Sequence, residues 1–348
     1  MSAAILALFC IVAGCGAFVI CKNAIALGNA LKVVDYPDVA GGRKRHATPT
    51  PLVGGIAVLV GTGLTAPLFL LVSDLSLSQN RQISVIAFLA AVFALLGFID
   101  DRHTLSPKIR LLVLVLATAA VVTNEPALTV SFLHFSFLPK AYILGNWGII
   151  FTMISIVGLS NAVNMADGKN GLVIGMSIVW TVTLLLLGAP VMQPVLFALL
   201  TTLILALIYN MRSKLFLGDA GSFGIAAVIG LTTIYSYTQN FVSLTADIIV
   251  LMFFVPVLDC LRLMVTRILR GRSPFTAGRD HLHHYLGMRW HWPTGLMIYL
   301  GLVGGPLMLG AIAPTLAFTA LLVQLFGYCA LMAYTTSTRH QGSADAQA

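Results

Sequence analysis

Long apolar runs, each bounded by a short polar stretch, make up almost all of this chain. They cover about residues 2–21, 52–72, 83–99, 109–123, 143–160, 172–189, 193–209, 221–238, 246–266, 293–312 and 314–335. Runs of this length match the hydrocarbon thickness of a bilayer when wound as α-helices. A closed barrel would need strands of about ten residues with alternating polarity, whereas these runs are apolar on every face. The pattern therefore predicts an all-α polytopic membrane protein with about eleven transmembrane helices.

Composition agrees: 58% of residues are hydrophobic, 9% are charged, and the mean hydropathy is +0.95. A soluble domain of this length does not carry so few charges. The net charge of +8 follows from membrane topology and contact with anionic headgroups, and nucleic acid is not an expected partner. Lys32, Arg43, Lys44, Arg45, Arg102, Lys108, Arg110, Lys169, Arg212, Lys214, Arg267, Arg270, Arg272, Arg279 and Arg289 fall on one side of the alternating spans; Arg81 and Lys140 fall on the other. Positive residues stay cytoplasmic, so the N-terminus is expected in the periplasm and the C-terminus in the cytoplasm. Residues 2–21 lack a basic leader and read as an anchor. The five cysteines sit in apolar runs without metal-ligand spacing and read as packing residues. Residues 1–336 read as one transmembrane domain and 337–348 as a disordered cytoplasmic tail. The segment VSFLHFSFL within 124–142 alternates as a small hairpin or an interfacial segment does.

Five polar motifs lie at the cytoplasmic helix ends. GGRKRHATPTPLVGG (41–55) places cations and His46 before two prolines and a glycine pair, which serves either as a topological anchor or as a pyrophosphate contact. FIDDRHTLSPKIR (98–110) closes a span with Asp100 and Asp101. Adjacent carboxylates at a membrane boundary oppose each other's ionisation, which points to catalysis or a divalent cation, or else to a solvated loop paired with Arg102 and Lys108. NAVNMADGKNGL (161–172) repeats Asn161, Asn164 and Asp167 every three residues, as along one helix face. KLFLGDAGSFG (214–224) sets Asp219 at the opening of a span, either as an N-cap or where phosphate and cation approach a helix N-terminus. RGRSPFTAGRDHLHHYLGMRW (270–290) combines four arginines with His281, His283 and His284, suited to a phosphorylated ligand. A zinc site is the competing reading, but it lacks a cysteine, and Asp280 adjoins the first histidine.

Carboxylates at three helix ends beside two basic loops supply what phosphoryl transfer needs. A site at the membrane boundary suits a lipid phosphate acceptor and a soluble nucleotide donor. In this order the motifs RKRHATPTPLVGG, DDRHTLSPKIR, NAVNMADGKNGL, KLFLGDAGS and SPFTAGRDHLHH resemble those of the polyprenyl-phosphate N-acetylhexosamine-1-phosphate transferases over roughly residues 35–290. The resemblance implies Mg2+-dependent transfer, with Mn2+ as the alternative ion, of a sugar 1-phosphate from a UDP-N-acetylhexosamine to undecaprenyl phosphate, releasing UMP. It implies a multi-pass protein of the bacterial cytoplasmic (inner) membrane, in contact with membrane lipids, that initiates a lipid-linked glycan such as O-antigen, and it leaves a homodimer open. It also implies residue roles. Asp100 or Asp101 deprotonates or orients the lipid phosphate, with Asp167 in the same catalytic group, and Asp219 holds the metal. Phe216 stacks on uracil; Asn161, Asn164 and Asp167 line the nucleotide site. Lys108, Lys214 and His46 contact phosphates, and Arg279, His281, His283 and His284 grip the donor pyrophosphate and sugar. The SPF segment and histidine cluster resemble the WecA-type branch, which uses UDP-GlcNAc, more than the MraY-type branch that transfers phospho-MurNAc-pentapeptide. UDP-QuiNAc and UDP-FucNAc are the near alternatives.

One position departs from the family pattern: Asn170 stands where a second Asp of a DGxDG motif is common. Other classes fit less well. A transporter places its ionisable groups near the bilayer midplane, and the YD and GxGD contexts of an intramembrane aspartyl protease are absent. The aspartate series of a CDP-alcohol phosphotransferase is interrupted by Lys169 and Asn170. A protein that binds lipid-linked sugar without turnover is the nonenzymatic alternative.

Overall fold

The computed structural model describes residues 2–37, 48–72, 75–275 and 278–345, with side chains described as far as 337. The expected tail at 337–348 thus falls mostly outside the described side chains. The chain runs α1 (Ala3–Lys22), α2 (Ala24–Leu31), β1 (Val34–Asp35), β2 (Thr50–Pro51), α3 (Gly54–Gly63), α4 (Ala66–Val72), α5 (Leu77–His103), α6 (Pro107–Asn124), β3 (Phe132–Leu133), β4 (Tyr142–Ile143), α7 (Trp147–Ala166), α8 (Leu172–Leu187), α9 (Gln193–Met211), α10 (Gly218–Asn240), α11 (Ala246–Leu269), α12 (Leu282–Arg289), α13 (Trp292–Ile312) and α14 (Ala317–Asp345).

Among the described residues, ten helical segments are long and apolar enough to cross a membrane. One of them, Gly54–Val72, is built from α3 and α4 with a break between them. The expected eleven becomes ten plus α8, whose 16 apolar residues reach only about 24 Å at 1.5 Å per residue, short of a roughly 30 Å hydrocarbon core. Gly188 and Pro190 end α8 earlier than hydropathy suggests. Sequence gave no warning of α2 or α12, because each is only eight residues long.

The spanning window of α10 is entirely buried. Its opening, GDAGSFG, is rich in small residues, and α5, α7, α3 and α8 all pack on it. Interhelical approach in a bilayer depends on such small residues. A Cβ on Gly97 of α5 would collide with the Asp219 carbonyl, and one on Gly55 of α3 with the Gly221 backbone. Where helices carry proline, neighbours supply the missing donor. Pro256 leaves the Met252 carbonyl of α11 without its usual partner. The buried Trp180 indole donates to that oxygen at 2.6 Å. Gln324 of α14 does the same for the Leu302 carbonyl, four residues before Pro306, at 3.2 Å.

At the opposite end from the polar motifs, β3 and β4 pair antiparallel, the hairpin form of the alternating segment. Asp247, in the first turn of α11, accepts from the Ser136 amide at 2.9 Å and hydroxyl at 2.6 Å, which fixes the hairpin. All five cysteines are free thiols, Cys21 and Cys260 buried and Cys15 and Cys329 exposed.

The contact at Gly97 yields an expected outcome. Gly97→Ala forces α5 and α10 apart and costs about 1–3 kcal/mol, as overpacking does. Thermal unfolding in detergent should show a lowered melting temperature for Gly97→Ala and none for Gly63→Ala, where a Cβ meets nothing within 4 Å. Equal behaviour of the two variants would remove the argument.

Candidate active site

Asp101 binds the start of α10. Its Oδ1 accepts the Asp219 amide at 2.9 Å and its Oδ2 the Ala220 amide at 3.1 Å. The cap of a buried helix thus comes from another helix, and the carboxylate meets the positive end of the α10 dipole. Of the two readings that the sequence left open for Asp219, the N-cap is not the one found: Asp219 contributes its backbone N–H, and its side chain is turned to Asn164 and Arg110. Gly218 adopts φ +75°, and a Cβ there would lie 2.7 Å from Asp101 Oδ2, so both conformation and space require glycine.

Around this contact the structure gathers three of the sequence motifs. Asp219 Oδ1 accepts from Asn164 Nδ2 at 2.8 Å, and the same amide reaches Ser222 Oγ at 3.0 Å. Arg110, in the first turn of α6, donates to Asp100 Oδ2 at 2.5 Å and lies 3.4 Å from Asp219 Oδ2. Asp100, 6% exposed, also accepts the Leu105 amide at 2.6 Å. The solvated-loop pairing of Asp100 and Asp101 with Arg102 and Lys108 does not form; both of those cations are exposed. The guanidinium that holds the cluster is Arg110, which sequence reasoning had placed only among the topological charges.

Asp167 stands just past the end of α7 as its C-cap, so the three-residue repeat leaves the helix before reaching it. Burial first, and then the Asp101 charge, push its carboxyl up to about 7. Asn161 turns back on its own helix, donating to the Val157 carbonyl at 2.8 Å. Only Asn164 of the two amides joins the carboxylates. Asn170 donates to Ser213 Oγ at 2.9 Å, its carbonyl accepts from the Trp292 indole at 2.7 Å, and Lys169 lies over that indole. Asn170 therefore clasps the turn before α8 to the loop before α10, away from the carboxylate cluster.

That loop is built on the first motif. Phe216 N–H donates to the Pro51 carbonyl, while Gly54 and Gly55 donate to the Phe216 and Leu217 carbonyls at 2.8–2.9 Å. Phe216 is half-buried and Lys214 exposed beside it. His46 lies outside the described residues.

The histidines open α12 and cluster with one another. The His281 and His283 rings are stacked with centroids 5.1 Å apart, and those of His283 and His284 are 4.2 Å apart. They face the turn carrying Asp167, since a Cβ on Gly168 would lie 2.5 Å from His283 Nε2. Burial, then the neighbouring His284 and His281, hold His283 well below the usual imidazole range. Burial and the adjoining His281, Lys169 and Arg279 bring His284 down to about 4. Both are neutral at neutral pH, so they act as hydrogen-bonding groups while half-buried Arg279 carries charge. The carboxylate nearest in space to the cluster is Asp259 of α11, in place of Asp280. Sequence reasoning passed over Asp259 because it lies inside an apolar run, although an ionisable group within a span was itself a signal.

Two sets of groups bear on metal binding. Asp100, Asp101, Asp167 and Asp219 are crowded carboxylates with one guanidinium among them, an all-oxygen set that suits a hard divalent cation. Both Asp100 and Asp101 have each oxygen engaged. Asp219 Oδ2, with only its long Arg110 contact, and Asp167, whose carboxylate has no hydrogen bond among the described residues, retain ligand capacity. The second set is Asp259, His281 and His283, whose potential ligand atoms lie within 4.8 Å of one another. There the carboxylate already accepts from Arg262, Tyr328 and His281, which fits a zinc site poorly.

The chain is similar to known proteins over most of its length. Residues 83–237 match the model of glycosyl transferase family 4. An undecaprenyl-phosphate alpha-N-acetylglucosaminyl 1-phosphate transferase of Yersinia pestis is 31% identical over 336 residues, covering 90% of this chain and 87% of that protein. The protein of the same name in Salmonella typhi is 31% identical over 277 residues, covering 76% of this chain and 70% of its own. A probable undecaprenyl-phosphate N-acetylglucosaminyl 1-phosphate transferase of Bacillus subtilis is 26% identical over 283 residues, 78% of this chain and 75% of that one. With the carboxylates, the amide and the histidines of the sequence motifs at one end of a helical bundle, and with this similarity along nine-tenths of its length, the chain belongs to glycosyl transferase family 4.

Proposed function

We propose that this protein transfers N-acetylglucosamine 1-phosphate from its UDP-sugar to undecaprenyl phosphate, releasing UMP. The observation that carries the reading is the polar end of α10: Asp219, held by Asn164 and by a long Arg110 contact, and Asp167, whose carboxylate has no hydrogen bond among the described residues, share a carboxylate cluster with Asp100 and Asp101 at the start of a buried helix. The names of the relatives support the same substrates. The excess of Lys and Arg at this end supports a cytoplasmic face, with α8 as an eleventh crossing and the N-terminus outside, in a bacterial inner membrane.

Family members of this kind are generally metal-dependent. Asp219 and Asp167 would hold Mg2+, or Mn2+ in its place, and the ion would neutralise charge developing on the transferred phosphoryl group. In the transfer an oxygen of the lipid phosphate bonds to the sugar-bearing phosphorus. The bond from that phosphorus to the bridging oxygen breaks, and UMP leaves with the electron pair. A phosphate monoester has a second pKa of about 6, so the acceptor is largely a dianion at neutral pH and needs no general base. This suits Asp100 and Asp101, whose oxygens are engaged: they position Arg110 and the start of α10, and neither acts as the base. Arg110 offers charge to the acceptor phosphate. Phe216 and Asn164 border the nucleotide, with Lys214 and Lys108 near its phosphates. Arg279 and the histidines contact the donor pyrophosphate and sugar.

UMP release from purified membranes supplied with undecaprenyl phosphate, Mg2+ and UDP-GlcNAc tests the reading. Lipid-dependent release is expected, and Asp219→Asn should lower it roughly 100-fold or more, the size of a lost metal contact. Release with a different UDP-sugar alone would reassign the donor, and undiminished release by Asp219→Asn would remove the metal role.

The raised Asp167 group adds a pH dependence. Below about pH 7 it holds a proton that a cation must displace, so the half-saturating Mg2+ concentration should climb about tenfold per pH unit as pH falls from 7 to 5. Asp167→Asn should flatten that slope. Titrations of Mg2+ against UMP release at several pH values decide it, and an unchanged slope in the variant would exclude Asp167 as a ligand.

A further inference from the structure

Among the described residues, Asp259 is the carboxylate buried deep in the bundle against the histidine cluster, and its donors there can be named. It is 3% exposed and sits on α11. Its Oδ1 accepts from Arg262 at 2.9 Å and from the Tyr328 hydroxyl at 2.7 Å. Its Oδ2 lies 2.9 Å from His281 Nδ1, and the Leu282 amide, the first of α12, reaches both oxygens at 3.3–3.4 Å. Arg262 also donates to the Tyr328 hydroxyl at 2.8 Å and to the Asp280 carbonyl. The carboxylate thus ties α11, α12 and α14 together at the residue that opens the histidine motif.

The donor inventory determines the protonation pattern. A guanidinium and a backbone amide can only donate, so Asp259 is the acceptor throughout and is ionised. Its partner ring nitrogen must then carry a proton. We propose that Asp259 is a positioning residue that holds His281 as the Nδ1–H tautomer, leaving the Nε2 lone pair to accept from a hydroxyl or N–H group of the UDP-sugar donor. A carboxylate on one ring nitrogen selects the role of the other, and a wrong tautomer disables a histidine whose position is unchanged. The proposal rests on His281 contacting the donor, as argued above.

Asp259→Asn makes the test, because the amide must turn its oxygen toward Arg262 and its NH2 toward His281. His281 then accepts at Nδ1 and moves its proton to Nε2. With 15N-histidine-labelled full-length protein in detergent, long-range 1H–15N correlation spectra report the tautomer independently of activity, and His281→Ala assigns the signal. The expected results are Nδ1–H in the unsubstituted protein, Nδ1–H in Tyr328→Phe and Nε2–H in Asp259→Asn. In UMP release, Asp259→Asn should lower kcat at least about tenfold and leave the KM for undecaprenyl phosphate within about twofold. In a His281→Ala background it should add less than about twofold, because the two act as a unit. An Nε2–H tautomer in the unsubstituted protein, or full additivity of the two substitutions, would overturn the proposal. So would stoichiometric zinc in the purified protein. Absence of UMP release by the unsubstituted protein would count against the transferase reading, while the tautomer would still be decided by the spectra.

Discussion

The two hydrogen bonds from the first amides of α10 to Asp101 are the constraint on which the rest of the site depends. A helix buried along its whole spanning length cannot leave its first N–H groups to water, and in an apolar surrounding an unpaired amide costs several kcal/mol. A carboxylate from α5 removes that cost and is itself stabilised by the helix dipole. The contact demands close approach, which explains glycine at 97 and 218 and the small residues that open α10. Once α5 and α10 are joined there, Asp219 follows Asp101 into the same neighbourhood. Asn164 and Arg110 then hold its side chain from α7 and α6.

Charge is distributed unevenly in the resulting cluster. One guanidinium, Arg110, meets two of the four carboxylates, Asp100 and Asp219, and the four differ in how fully their oxygens are used. Asp100 and Asp101 accept two donors each, one per oxygen, and behave as parts of the framework. Asp167 and Asp219 keep capacity for a cation or a proton. The histidine side is built differently: His283 and His284 lose charge to burial and to their neighbours, so that end of the site offers directed hydrogen bonds, with Arg279 supplying positive charge. Asn170 belongs to neither group. Its amide secures Ser213, so the carboxylate missing from the DGxDG pattern is missing from a structural clasp.

Much of this was legible in the order of residues. Hydropathy located the helices, and short polar motifs located Asp100, Asp101, Asn164, Asp167, Asp219 and the histidines. Helical periodicity failed at its own limit: Asn161 lies one turn too far from the helix end and bonds its own carbonyl, and Asp167 lies beyond the last turn. Arg110 was hidden among the cations that set topology, since a positive-inside count does not distinguish a cation that anchors from one that pairs. Asp259 was hidden by the apolar residues around it.

What the sequence by itself determined is the membrane class, the approximate positions of the helices and the chemical character of the loops. These are local properties: each span must satisfy its own backbone groups, so composition over some twenty residues decides its state. What only the tertiary structure decided is which donor meets which acceptor. Asp101 and the amide it caps are 118 residues apart, and His281 meets Asp259 across 22 residues and a change of helix. No local pattern encodes such pairings, because they come from the packing of whole helices and from the requirement that each buried polar group find a partner.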